Sequence, residues 1–183
     1  MFEGTATALI TPFNKDGSLD EEGLRRLVDF QEENGITTLV PCGSTGESAT
    51  LSHEEHIRVV SIVRDQAKKA KVLAGAGSNS TAEAVYLSKA AADLGVDGIL
   101  SISPYYIKPT QEGIYQHYMA ISEAIDIPVI VYNVPGRTGS NITAETTLRM
   151  AQLPGIIGIK EASGNVSQVV LVDTLLCGLD VIG

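Results

Sequence analysis

The chain has 183 residues, with 13 Lys and Arg against 22 Asp and Glu, a formal charge of -9 that repels nucleic acid and anionic lipid. A composition 44% hydrophobic and 19% charged suits one globular domain, here taken as 1–183, rather than a disordered or fibrous chain. No apolar run approaches the ~20 residues of a membrane span. The start, MFEGTATALITPF, lacks a charged segment leading into a long apolar core, and Cys42 and Cys177 form neither a ligand pair nor a disulfide framework. A reducing cytoplasmic setting is therefore expected.

Taken in chain order, β-prone apolar runs alternate with amphipathic stretches. TATALIT (5–11) is the first candidate strand, followed by a helical face of Leu24, Leu27 and Val28 that should stop at Gly35. TTLVPCG (37–43) leads into a loop and then a helix opened by the capping-box pair Ser52 and Glu55, with Val60, Val63 and Ala67 on one side. VLAGAG (72–77) precedes a second such pair, Ser80 and Glu83, and a face of Ala84, Leu87, Ala91 and Leu94 ending at Gly95. GILSIS (98–103), a helix over 110–125, PVIVYNV (128–134), a helix over 143–151, IIGIKEA (156–162) and a helix over 166–176 complete the series. The final VIG begins a seventh strand.

Strands apolar on both faces and joined by helices imply a parallel sheet covered by helices, hence an α/β fold. An open doubly wound sheet and a (β/α)8 barrel both fit this rhythm. A barrel typically needs ~250 residues, so it would be incomplete here, with about six βα units and the start of a seventh strand. Both architectures gather function at the C-terminal ends of strands.

Several strand ends carry chemistry. GSTGESATL (43–51) sets two glycines around Ser44 and Thr45, a loop able to turn amides toward a carboxylate or phosphate, or an ordinary tight turn. GAGSNS (75–80) lacks the third glycine of a dinucleotide fingerprint. SPYYIKPT places Tyr105 and Tyr106 side by side, a pattern more usual of packing or interfaces. In YNVPGRTG, alternation sets Tyr132 with Ile130 on one strand face, at the strand mouth, and Arg137 follows on a Pro-Gly loop, either as a carboxylate grip or as a surface cation. In GIIGIKEASG, Lys160 shares a face with Ile156, Gly158 and Ala162; Gly158 and Ala162 flank it with almost no bulk, leaving room for its stem and for a small molecule. Its ammonium could reach water along that stem. Held in a partly dry pocket, it would instead lose its proton near neutral pH and attack a carbonyl to form an imine. His53, His56 and His117 include no HExxH pair, so no metal site is expected.

Together the segments Gly43–Leu51, Tyr105-Tyr106, Tyr132–Gly139 and Gly158–Ala162, beginning from ALITPF, resemble the dihydrodipicolinate synthase family of class I, Schiff-base-forming (β/α)8 enzymes. The resemblance runs along the whole chain and implies a barrel. It implies that Lys160 forms an imine with pyruvate, whose carboxylate rests on Ser44 and Thr45, and that the derived enamine attacks L-aspartate-4-semialdehyde. Such a reaction belongs to lysine and diaminopimelate biosynthesis and needs no cofactor beyond the covalent imine. Tyr132 resembles the proton donor and acceptor, linked through Ser44 to Tyr106, which in the family comes from the neighbouring subunit. Arg137 resembles the residue holding the semialdehyde carboxylate. Ser48, Ala49, His53, His56, Asn79, Glu83 and Tyr105 match positions that bind the feedback inhibitor L-lysine, and a homo-oligomer, a dimer of dimers, is implied.

Family members often carry threonine where this chain has Ser44, and serine there is also common in sister aldolases. The alternatives are N-acetylneuraminate lyase or a keto-deoxy-sugar aldolase of the same superfamily, against which Arg137 weighs, and, in another class, a truncated noncatalytic fragment or lysine-binding module. The C-terminal portion of the barrel is expected to be absent from the chain.

Overall fold

The computed structural model describes residues 2–175 and 180–182, with side chains up to residue 174. The described residues group into two compact units: one runs up to Ala76 and includes Ala90–Ile99, the other comprises Gly77–Lys89 and the chain from Leu100 onward. The strands are β1 (Ala6–Ala8), β2 (Thr38–Val40), β3 (Lys71–Gly75), β4 (Gly98–Ile102), β5 (Val129–Asn133), β6 (Ile156–Glu161) and β7 (Asp180–Ile182). The helices are α1 (Glu21–Glu33), α2 (His53–Gln66), α3 (Thr81–Asp93), α4 (Gln111–Ser122), α5 (Pro135–Thr138), α6 (Ala144–Met150) and α7 (Val166–Leu175), with a 3-10 turn at Ser48–Thr50. The predicted βα alternation is present throughout. The extra element is α5, a single turn opened by Pro135, where the sequence suggested only a loop.

In the first unit β1, β2 and β3 pair in parallel, Ala6 beside Thr38 and Thr38 beside Lys71. All three residues of β2 are buried, as a strand covered on both faces must be. Asp20 caps α1 by accepting from the Gly23 N–H (2.8 Å). Both arms of the Ser52–Glu55 capping box form at the start of α2, with Ser52 N–H donating to Glu55 Oε2 (2.8 Å) and Glu55 N–H to Ser52 Oγ (3.2 Å). Arg58 on α2 holds Glu21 on α1 through Nε (2.7 Å) and Nη2 (2.5 Å), a two-point fork. The Glu32 carboxylate gathers three successive amides, of Lys68, Lys69 and Ala70, at 2.8–2.9 Å just ahead of β3. Those three bonds hold its carboxyl below the ordinary range against the opposing effect of partial burial. Gly35 and Gly95 stand at φ +81° and +74° where α1 and α3 stop, a region that favours glycine.

In the second unit β5, β6 and β7 pair in parallel. Every residue of β5 is buried, and the Tyr118 hydroxyl on α4 donates to the Ser101 carbonyl (2.8 Å), fastening the helix to the sheet. The second predicted capping box is altered: the Glu83 N–H donates to Ser80 Oγ (3.4 Å), but the Ser80 N–H donates to Ser78 Oγ (3.0 Å) and the Ser78 hydroxyl to the Glu83 carboxylate. Burial of His117 pushes its imidazole down to about 4, so the ring stays neutral.

Among the described glycines a Cβ would be most crowded at Gly75, where it would lie 2.1 Å from the Cys42 carbonyl oxygen. Gly75→Ala should cost at least about 2 kcal/mol in urea unfolding, whereas Gly136→Ala, with nothing within 4 Å, should leave stability within about 0.5 kcal/mol.

Candidate active site

The second unit contains the strands that carry Tyr132 and Lys160. β5 and β6 run parallel with a register shift between Val129 and Ile130: Val129 stands beside Ile156, but Ile130 stands beside Gly158. The extra residue, Ile157, advances β6 by one position, and from there Tyr132 pairs with Lys160 and Asn133 with Glu161. Without that bulge Tyr132 would face Ile159. Lys160 Nζ lies 4.5 Å from the centroid of the Tyr132 ring, and Tyr132 is only 9% exposed. Gly158, one pleat earlier on the lysine's face, is buried and has no side chain to compete for the space.

Lys160 is half-buried. Loss of hydration lowers its pKa from the ordinary 10.5, and the positive charge of Arg137 pushes it the same way. The amine therefore has a larger neutral, nucleophilic fraction near neutral pH than a surface lysine. Arg137 itself sits exposed on α5, held by Pro135 at the first helical position and by the Arg137 N–H donating to Val134 O (2.9 Å). Glu161, the residue that makes the Lys-Glu pair so unexpected in a strand, points to the opposite face, where it is buried.

Tyr106 belongs to the same unit but is not packed against this pair; its side chain is 85% exposed. It has φ +71°, and two residues on Lys108 has φ +47°, so this loop adopts the left-handed region twice without glycine. The Tyr106 N–H donates to Thr138 O (3.0 Å), joining the loop to the end of α5. Tyr105 is half-buried, as are Asn79 and Glu83.

The first unit holds the hydroxyl loop. Cys42 (φ 55°) and Glu47 (φ 57°) bracket it in the left-handed region. Its own turn bonds use the N–H groups of Gly46, Glu47 and Ser48, and those of Ser44 and Thr45 take no part in them. Ser44 and Ser48 are half-buried, and Thr45 and Ala49 are exposed. Gly46 is tied down by its carbonyl accepting from Thr11 Oγ1 (2.6 Å), and a Cβ there would meet the Leu9 carbonyl at 2.9 Å. His53 is exposed, whereas His56 is buried with Nε2 2.7 Å from the Gly75 carbonyl, which places the ring proton on Nε2. Burial raises the Cys42 thiol to about 12, so it is chemically quiet; Cys177 lies outside the described residues. Among the described residues no group of three His, Cys, Asp or Glu could hold a metal ion, and no helix is long and apolar enough to cross a membrane.

Residues 1–178 match the Dihydrodipicolinate synthetase family. The chain belongs to that family. It is 57% identical over 168 residues to 4-hydroxy-tetrahydrodipicolinate synthase of Chloroherpeton thalassium, covering 91% of this chain and 56% of that protein. Among solved structures, the chloride-inhibited dihydrodipicolinate synthase of Acinetobacter baumannii complexed with pyruvate matches with a TM-score of 0.95 and 47% identity, over 99% of this chain and 63% of that one. The Cyanidioschyzon merolae enzyme with lysine bound matches with a TM-score of 0.94 and 39% identity, over 100% of this chain and 70% of that one. The chain thus spans less than two thirds of the first two relatives. The family's (β/α)8 barrel is the fold of this chain, which contributes six βα units and a seventh strand. Of the two architectures open from periodicity, the doubly wound sheet is excluded.

A lysine with a lowered pKa leaves a signature in stability. Between its folded value and 10.5 the unfolded chain holds a proton that the folded chain has released, so folding stability rises with pH across that window. Lys160→Met removes this slope. The Tm difference, variant minus parent, should be most favourable to the variant at neutral pH and decline steadily toward pH 10.5; a flat difference would show that Lys160 has its ordinary pKa.

Proposed function

We propose that the protein carrying this chain condenses pyruvate with L-aspartate-4-semialdehyde through a Schiff base on Lys160, giving 4-hydroxy-tetrahydrodipicolinate. The observation that carries this proposal is the Tyr132–Lys160 rung, where a partly desolvated amine stands 4.5 Å from the centroid of a buried tyrosine ring. The names of its relatives support the same substrate chemistry.

In this mechanism the Lys160 amine attacks the keto carbon of pyruvate, and loss of water leaves an imine. The imine withdraws electrons from the adjacent methyl group, which gives up a proton to become an enamine carbon nucleophile. That carbon bonds to the aldehyde carbon of the second substrate, whose oxygen takes a proton. The substrate's own amine then attacks the imine carbon, closing the ring and releasing Lys160. Tyr132 supplies and accepts the protons, with Ser44 and Tyr106 as its relay, and no cofactor is needed. The exposure of Tyr106 suits a side chain that completes the site of a neighbouring subunit in a dimer of dimers. The amides of Ser44 and Thr45, not consumed by their own turn, hold the pyruvate carboxylate. Arg137 grips the carboxylate of the semialdehyde, a group absent from the corresponding part of the sugar substrates of sister aldolases.

L-Lysine is proposed as a feedback inhibitor that binds Ser48, Ala49, His53, His56, Asn79, Glu83 and Tyr105, a role supported by the relative solved with lysine bound.

Incubation of the intact protein with pyruvate and borohydride should give a stable adduct on Lys160, absent in Lys160→Ala. An unlabelled Lys160 in folded protein removes the mechanism. Tyr132→Phe should slow turnover about 100-fold or more. Arg137→Ala should raise KM for aspartate semialdehyde on the order of tenfold or more, with the pyruvate KM little changed; turnover of N-acetylneuraminate in preference to the semialdehyde would transfer the chain to the sugar lyases. Titration calorimetry should detect L-lysine, and its absence would remove the regulatory role.

A further inference from the structure

The face of β6 turned away from Lys160 carries a buried carboxylate that the mechanism leaves unused. Glu161 is 6% exposed, and Asn133, Ser163 and Gln168 all donate to it. Its Oε1 accepts from the Ser163 N–H (2.8 Å) and from Asn133 Nδ2 (3.1 Å). Its Oε2 accepts from Asn133 Nδ2 (2.9 Å) and from Gln168 Nε2 (2.8 Å) on α7. Asn133, fully buried at the end of β5, has its amide orientation fixed because Oδ1 accepts the Ile142 N–H (3.0 Å). Asn141 closes the network, accepting from Asn133 Nδ2 (2.8 Å) and donating to Gln168 Oε1 (2.7 Å).

We infer that Glu161 is a positioning residue for the Tyr132–Lys160 pair, an inference that rests on the imine mechanism proposed above. The register shift between Val129 and Ile130 creates the need. A bulged strand has a neighbouring register one residue away, and a slip of one exchanges its faces. In that slipped register Lys160 leaves Tyr132. The apolar residues on β6 do not oppose the slip strongly, because Ile156, Ile157 and Ile159 occupy both faces of the strand. Asn133 and Glu161 do oppose it. They form the rung immediately beyond Tyr132 and Lys160, and only the observed register lets the Asn133 amide reach both carboxylate oxygens. The Ser163 and Gln168 bonds anchor the chain immediately after the lysine to the same carboxylate, so the reactive residue is held from behind on both sides. A neutral amide at 161 would turn donors toward donors and leave buried polar groups unpaired.

The experiment measures the rate of borohydride-trapped labelling of Lys160 against pyruvate concentration, in folded protein well below its unfolding midpoint. The parent protein is measured first: no label removes the imine mechanism and this inference with it, whereas a labelled parent isolates the role of Glu161. Glu161→Gln should then lower the saturating rate at least tenfold, with the half-saturating pyruvate concentration changed less than threefold. Gln168→Leu, which removes one donor and keeps the carboxylate, should lower the saturating rate two- to fivefold and decides the matter if Glu161→Gln does not fold. A merely structural role predicts a lower Tm with the saturating rate per folded molecule unchanged, and that result, or a loss confined to half-saturation, overturns the inference.

Discussion

The chemistry proposed for this chain depends on one rung of parallel sheet. A bulge of one residue early in β6 brings Lys160 alongside Tyr132, and the next rung joins Asn133 to Glu161 on the reverse face. The two rungs divide the work as a pleated strand allows, with successive side chains on opposite faces. One face presents a partly dry amine against an aromatic ring; the other buries an acid among amide donors. In the unbulged register Tyr132 would stand beside Ile159, and Lys160 would fall beside Asn133 instead.

The electrostatics of that rung follow from the same packing. Burial penalises the ammonium, and Arg137 adds a like charge, so both influences favour the free amine. Arg137 can act this way because Pro135 begins a short helix directly after β5 and turns the chain back at the strand's mouth. The residue proposed to hold one substrate's carboxylate thus also helps to prepare the nucleophile for the other. The cost falls on the unliganded protein, which shelters a group that would be more stable in water, a common trade between stability and activity.

Much of the architecture was legible as pattern. Alternating apolar runs and amphipathic stretches located the strands and the longer helices, because both periods are properties of local backbone geometry. Ser52 with Glu55 capped α2 as expected, since that motif closes within one turn. Ser80 with Glu83 did not close the same way, because Ser78 intervenes with a hydroxyl that the three-residue spacing does not register. The helical turn at Pro135–Thr138 escaped notice for its length, and the left-handed backbone at Cys42, Glu47, Tyr106 and Lys108 had no glycine to announce it.

By itself the sequence determined the α/β class, the strand that carries Lys160, the small neighbours on that lysine's face and the net acidic charge. It also displayed the motifs by which the family is known. Only the tertiary structure decided which β5 residue stands beside the lysine. That depends on a register shift, set by how two strands bond to each other and not by either strand's own period. The network around Glu161 was likewise invisible, because Asn133, Asn141, Glu161 and Gln168 meet only after the sheet and its covering helix have formed. Burial and proximity are relations between distant segments, and so the lowered lysine pKa belongs to the fold and not to the motif.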